Sequence, residues 1–398
     1  MALHLSGSHR LPCLFMRGGS SRGGFFLRDD LPADVKLRDA WLLAAYGSPD
    51  IRQIDGIGGA DSLTSKAAIV AKSDRPDADV EYTFCQIGID QAQVSTGGNC
   101  GNMLAAVGPF AIYRGFVQPT PGTTVVRIYT TNTRQVVTAH VPMDGESPAV
   151  EGDCVIAGVP GSGARLMLDF GDCRGAVTGR LLPTGRERDR IQIDGLSIDV
   201  SLVDAATPFV FVRAQDVGAT GTETPAQIAA DAELMRKLEA IRGWAAHAIG
   251  LVDDPRRATA ESPNIPRVMM VTSPADYTTV GGEAVTASRV DLIVRQIAMQ
   301  KPHKALAVVG SVCCAVASAI EGSVVHACKR LNPSGPTRLG HPSGVLRVLS
   351  TVHRQASGDY VIAQAQMERT ARLIMAGELY LSKRRIDDLL SASLTRPA

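Results

Sequence analysis

The chain has 398 residues, of which 45% are hydrophobic and 20% charged, with 41 Lys plus Arg set against 40 Asp plus Glu. These are the proportions of a folded globular protein, and the scattered, nearly balanced charge leaves no electrostatic footprint for nucleic acid or an anionic membrane. At roughly 100–200 residues per domain the length favours two domains, and a small molecule is the partner class to expect.

From the N-terminus, MALHLSGSHRLPC lacks the basic start and apolar stretch of an export signal, so a cytoplasmic location is expected. The eight cysteines form no C-x-x-C pair and should be reduced thiols, most of them small core residues. Segments rich in Val, Ile and Thr predict strands at Lys66–Ala71 and Val80–Gly88, then an apolar helix from Asn99 to Arg114 stopped by Gly115. Strands are predicted next at Thr123–Thr131 and Gln135–Val141, and the polar stretch Leu182–Arg190 predicts a linker with a boundary near 188. That gives halves 1–188 and 189–398, with the last strand or helix free to pack back on the first. The second half predicts strands at Ile191–Val203 and Phe209–Arg213, a helix from Thr224 to about Gly250, and a strand at Arg267–Thr272. A second apolar helix is predicted from His303 to Ile320, ended by Gly322; its uncharged run, Ala305 to Ile320, falls short of the roughly 18–20 residues that cross a membrane. Two helices that are apolar all round, each flanked by strands, suggest two similar α/β halves, each wrapping a sheet around a buried helix.

Three glycine-rich segments stand out: Arg17–Gly24, Gly56–Lys66 and Gly97–Asn102. None has the spacing of a phosphate loop or a dinucleotide site, so no nucleotide cofactor is expected, and no H-E-x-x-H or tight His/Cys/carboxylate cluster suggests a metal. The third precedes the apolar helix, where free N–H groups and the helix dipole favour an anion and would activate Cys100. The residues alone equally fit a cysteine packed at a tight turn. Lys66 opens an apolar strand after a glycine-rich loop, which puts a charge at the edge of a core; a surface lysine at a strand start is the alternative. His303-Lys304 and Gly340–Gly344 present Lys304 and Ser343 in the second half, or else form a capped helix and an ordinary turn. His247 reads as a core histidine and Cys313-Cys314 as packing residues.

Met16–Gly23, Ser62–Lys66, Gly98–Asn102, Pro302–Ala305 and Gly340–Gly344 together resemble the 2-methylaconitate cis–trans isomerase family, whose relatives include 4-oxalomesaconate tautomerase and methylitaconate isomerase. The likeness runs from about residue 11 to about 381 and takes in Val203–Pro208 and Arg369–Leu373. It implies a diaminopimelate epimerase-like fold with the active site in a cleft between two similar halves, Lys66 and Cys100 as acid/base residues, and no cofactor. It also implies that Arg17, Ser20, Ser21, Arg22, Ser65, Gly98, Asn99, Gly101, Asn102, Lys304, His341 and Ser343 hold substrate carboxylates. A homodimer is the expected assembly. The first motif usually reads G-G-T-S-K-G; here Arg22 replaces the lysine with a planar fork. The 58–66 loop is closer to the tautomerases, the second half to the methylaconitate members.

The implied chemistry is proton transfer on a small unsaturated di- or tricarboxylate, most like 2-methylaconitate, with 4-oxalomesaconate tautomerisation as the alternative. Its task is to stabilise a dienolate, to which the N–H groups at 98–102 with Ser20, Ser21, Arg22 and Lys304 would contribute. Lys66 would take the proton, which requires a desolvated amine. An epimerase would use two opposed cysteines, whereas here Lys304 sits near the place matching Cys100. A carboxylate-binding protein without catalysis is the reading from another class.

Overall fold

The computed structural model describes residues 5–96, 100–171, 173–330 and 335–394. The chain forms two units, Met1–Leu168 with Arg369–Ala398, and Asp169–Glu368. In chain order the longer elements are β1 (Ser8–Gly18), β2 (Ser21–Leu27), α1 (Val35–Tyr46), β3 (Lys66–Lys72), β4 (Val80–Ile87), α2 (Gly101–Tyr113), β5 (Thr123–Thr130) and β6 (Gln135–Asp144). The second unit holds β7 (Asp189–Ile193), β8 (Leu196–Ala205), β9 (Thr207–Arg213), α3 (Pro225–Ala230), α4 (Ala232–Ala248), β10 (Arg267–Thr272), β11 (Leu292–Ala298), α5 (Val308–Ala319), β12 (Thr337–His341), β13 (Gly344–Arg354) and β14 (Tyr360–Arg369). The chain returns to the first unit with β15 (Ala371–Ser382) and α6 (Lys383–Leu394).

In the first unit β15 lies antiparallel to β1, β1 to β2, β3 to β4 and β5 to β6, while β2–β3 and β4–β5 are parallel. The sheet wraps α2, which touches its strands from β15 to β6. Every residue from Met103 to Ile112 is buried, which is why this helix carries no polar face. Gly108 lets it approach β6, since a Cβ there would lie 2.8 Å from the Val141 side chain. On the other face α1 and α6 cover a second core with Leu42, Leu43, Tyr46, Ile386 and Leu389. β3 reads Lys-Ala-Ala-Ile-Val-Ala-Lys because it is buried on both faces.

The second unit repeats the ladder. β7–β8 and β8–β9 are antiparallel, β9–β10 parallel, β10–β11 antiparallel, β11–β12 parallel, and β12–β13 and β13–β14 antiparallel. α5 is its buried helix, and α3 and α4 pack Ile228, Leu238 and Ile241 on the outer face. The polar stretch 182–190 belongs to this unit, where the Ser201 hydroxyl donates to the Glu187 carbonyl at 2.6 Å and Asp204 N–H to the Leu181 carbonyl at 2.9 Å.

Several expected elements differ in detail. Residues 191–203 are not one strand: Asp194 and Gly195, with φ of 51° and 80°, turn the chain into the β7–β8 hairpin. Residues 224–250 form two helices, because Asp231 takes an extended conformation and its carboxylate caps Leu234. The glycine-rich stretch 17–24 is the tip of the β1–β2 hairpin, with Gly18 paired to Ser21. α2 starts at Gly101, so the expected start at Asn99 lies outside the described residues, and α5 starts at Val308, five residues after His303, because Ala307 is extended and its N–H goes to the Gln296 side chain at 3.2 Å. His247 is exposed rather than a core residue, its Nδ1 3.1 Å from the Val252 carbonyl.

Candidate active site

Lys66 is the first residue of β3, directly across from Gly23 of β2 on one side and Gln86 of β4 on the other. The position is closely built. A Cβ on Gly23 would lie 1.7 Å from the Lys66 carbonyl, so β2 reaches β3 here only as glycine. The buried Tyr46 hydroxyl accepts from Gly24 N–H at 2.8 Å and donates to the Lys66 carbonyl. The side chain, 8% exposed, ends in an amine that donates to Gln86 Oε1 at 2.8 Å and lies 5.0 Å from the Phe84 ring centroid. Ser65, just before it, donates through Oγ to Gln53 Oε1 at 2.7 Å, and Gln53 also accepts from Ala60 N–H at 2.8 Å. The Ser65 hydroxyl thus braces the loop that delivers Lys66.

Cys100 is the N-cap residue of α2, extended at φ −122° and ψ 100°, and no side chain caps the helix start. It is half-buried, while the other seven cysteines are buried. Burial pushes the Cys13 and Cys85 thiols up to about 12 and raises Cys313 and Cys314 too, as befits packing residues. Cys100 lies within electrostatic reach of two groups that the sequence reading left without a role, Tyr82 and Arg369. Burial drives the Tyr82 phenol upward and the Arg369 guanidinium down to about 10. Tyr82, Phe84 and Gln86 alternate along one face of β4, so the surroundings of Cys100 and Lys66 share that face.

The hairpin tip settles on the first turn of α2. Asn102 Nδ2 donates to Ser20 Oγ at 3.1 Å, and Cβ atoms on Gly18 and Gly19 would lie 2.1 and 2.2 Å from Asn102 oxygens. Arg17 Nη1 binds the Gly19 carbonyl at 2.9 Å and Thr370 Oγ1 at 2.9 Å, which holds the tip from behind. Ser21 is 2% exposed and its hydroxyl has no partner among the described residues. Arg22 is exposed, its guanidinium 5.7 Å from the Phe15 ring centroid. Arg17, Ser20, Ser21, Arg22, Ser65, Lys66, Cys100, Gly101 and Asn102 all belong to the first unit, with Ser20 and Asn102 in direct contact at the hairpin tip; Gly98 and Asn99 lie outside the described residues.

The remaining three candidates meet in the second unit. Ser343 Oγ donates to the Lys304 carbonyl at 2.5 Å and Ser343 N–H to His341 Nδ1 at 3.2 Å. Lys304 is exposed, four residues before α5 rather than at its start. Among the described residues no three His, Cys, Asp or Glu side chains come together as a metal would require, and no helix is long and apolar enough to cross a membrane.

Residues 8–382 match the family model described as PrpF protein. The chain is 44% identical over 384 residues to the 3-methylitaconate isomerase of Eubacterium barkeri, covering 96% of this chain and all of that one. It is 42% identical over 380 residues to the 4-oxalomesaconate tautomerase of Pseudomonas putida, covering 95% and 98%. A solved methylitaconate delta-isomerase superposes with a TM-score of 0.85 at 43% identity, over 96% of this chain and 98% of that one. At 12% identity, a hydroxyproline epimerase from Agrobacterium vitis superposes at a TM-score of 0.51 over 96% and 94% of the chains, which shows an epimerase-like fold. The helix-wrapping sheets agree, and with a match running through nearly its whole length this chain belongs to the PrpF protein family.

Proposed function

We propose that this PrpF-family isomerase moves a proton between carbons of a small unsaturated di- or tricarboxylate, with Lys66 as base and Cys100 as the partner acid. The observation that supports this most is the buried Lys66 amine, held by a neutral amide over an aromatic ring, on the face of β4 that also carries Tyr82, which is within electrostatic reach of Cys100. A proton beside a double bond conjugated to a carboxylate leaves its electron pair in the π system, and the charge settles on carboxylate oxygens. N–H groups in the first turn of α2, at Gly101 and Asn102, with the Ser20 and Ser21 hydroxyls and Arg22, are suited to meet that charge. Gly98 and Asn99 are proposed for the same duty, with Arg17 and Ser65 bracing the loops and Lys304, His341 and Ser343 as carboxylate-binding residues of the second unit. Reprotonation at the same carbon after rotation gives a geometric isomer; reprotonation at the far end gives an allylic shift. Electrons stay in the substrate, so the reaction needs no cofactor. The proposed location is the cytoplasm, which suits eight free cysteines, and the proposed assembly, a homodimer, is checked by sedimentation.

Two relatives at 44% and 42% identity act on different acids, so the substrate is settled by assay. Proton NMR in D2O with methylitaconate, 2-methylaconitate and 4-oxalomesaconate reads exchange and isomerisation together. Lys66→Met should abolish both, since methionine keeps the packing but holds no proton. Cys100→Ser should keep part of the exchange while isomerisation falls. Near-native isomerisation by folded Lys66→Met would refute the base assignment, and a wild-type protein that binds one of these acids yet washes no deuterium into it would be a carboxylate-binding protein.

A further inference from the structure

Gln86 meets Lys66 as a direct cross-strand pair, and its amide has only one workable orientation. Its Nε2 donates to the Ser65 carbonyl at 2.9 Å and to the Ser62 carbonyl at 3.2 Å, so Oε1 must face the Lys66 amine, 2.8 Å away. A carboxylate would reach as far but would oppose two carbonyl oxygens and hold the amine as ammonium. An apolar side chain would leave the amine unaimed. Two residues back on the same face, Phe84 supplies the ring beneath Nζ.

We infer that Gln86 is the positioning residue of the isomerase: its neutral amide aims Lys66 without a counter-charge and ties the aim to the glycine-rich loop through Ser62 and Ser65. This rests on the reading of Lys66 as base. The ionisable groups on the packed elements do not replace Gln86 in this duty. Glu81 on β4 is paired with Arg28 at 2.7 Å and Asp39 on α1 with Arg38 at 2.7 Å. Tyr46 is hydrogen-bonded to the Lys66 carbonyl, Cys85 points to the opposite face of β4 from Gln86, Arg22 on β2 is exposed, and Tyr82, the residue of β4 within electrostatic reach of Cys100, lies further along the face.

The test is the pH dependence of kcat and KM in wild type, Gln86→Glu, Gln86→Met and Lys66→Met, using whichever acid the wild type isomerises. Gln86→Glu keeps an acceptor but adds charge, so the limb reporting the base should move alkaline by about one unit or more, with kcat recovering at high pH. Gln86→Met should lower kcat about tenfold or more at every pH with KM within about threefold, as expected for lost aim rather than lost binding. A merely structural glutamine would lower stability in both variants and leave kcat per folded molecule near wild type in Gln86→Met. An inactive Lys66→Met together with a Gln86→Glu profile that overlays wild type overturns the positioning role, even if Gln86→Met fails to fold. An active Lys66→Met instead brings down the base assignment itself and this inference with it.

Discussion

Lys66 and Asp204 are both ionisable side chains sealed from water, and the protein treats them in opposite ways. Lys66 has a neutral acceptor and a ring. Asp204 receives Val177 N–H at 2.9 Å, Thr178 N–H at 2.7 Å and Thr178 Oγ1 at 2.9 Å on one carboxylate oxygen, while the other has no partner among the described residues. Burial outweighs these bonds and pushes the carboxyl above its ordinary value of 3.8. A raised carboxyl binds its proton more tightly folded than unfolded, so its stabilising contribution is complete below the unfolded value and is lost as pH rises through the folded one. Asp204→Asn should therefore gain stability relative to wild type as pH rises from about 4 to about 7, read as the difference in urea midpoints at each pH. A constant difference would show that Asp204 binds its proton no more tightly in the folded protein than in the unfolded chain. Residues of this kind, like Gln86 and Tyr82, were not legible in the sequence: an amide or phenol in a strand reveals nothing of the side chain across the ladder. The proposed pair, Lys66 and Cys100, could be picked out of the sequence because each stands where a glycine-rich loop meets an apolar element.

At the scale of elements, the tightest join in the first unit is β2 against β3. Gly23→Ala places a methyl group 1.7 Å from the Lys66 carbonyl, and backbone cannot swing aside as a side chain would. The substitution should destabilise by roughly 1–3 kcal/mol, more than the roughly 0.4–1 kcal/mol that Gly→Ala gains through the unfolded chain. Because β3 carries Lys66, turnover should fall further than the unfolded fraction explains, which urea titration and kcat on one preparation will show. Ordinary stability with full kcat would mean that the strands relax apart at no penalty. Strands β3, β4, β5, β6 and β10 follow their Val/Ile/Thr runs, so their positions were readable. The Asp194-Gly195 turn carried a readable signal that the surrounding β-rich run obscured. α1 was harder: Asp34 caps it and Gly47, at φ 70°, ends it, but Val35–Tyr46 mixes polar and apolar residues without a clear stripe. The β1–β2 hairpin hid behind its glycines, which suggest a loop until the Gly18–Ser21 pairing is seen.

Across the whole molecule, two buried helices of similar character were enough to suggest two similar halves, and both units carry the same alternation of parallel and antiparallel ladders. The second is continuous in sequence, Asp169–Glu368, and has its own cores. Expressed alone, residues 169–368 should give a cooperative urea transition, whereas residues 1–168 alone should not, lacking β15 and α6; a fragment 169–368 that binds a hydrophobic dye and melts without cooperativity would contradict this. The first unit is assembled from the two ends of the chain: β1 and β15 pair along their length, from Ser8 opposite Ser382 to Gly18 opposite Ala371. On a ribosome adding about 5–20 residues per second, β1 emerges before the whole second unit and waits through its synthesis until its outer neighbour β15 exists. Synthesis therefore finishes the inserted unit before the one into which it is inserted, and the strand that leads into the Arg17–Gly24 motif spends that interval with an open edge, a template for mispairing on the nascent chain.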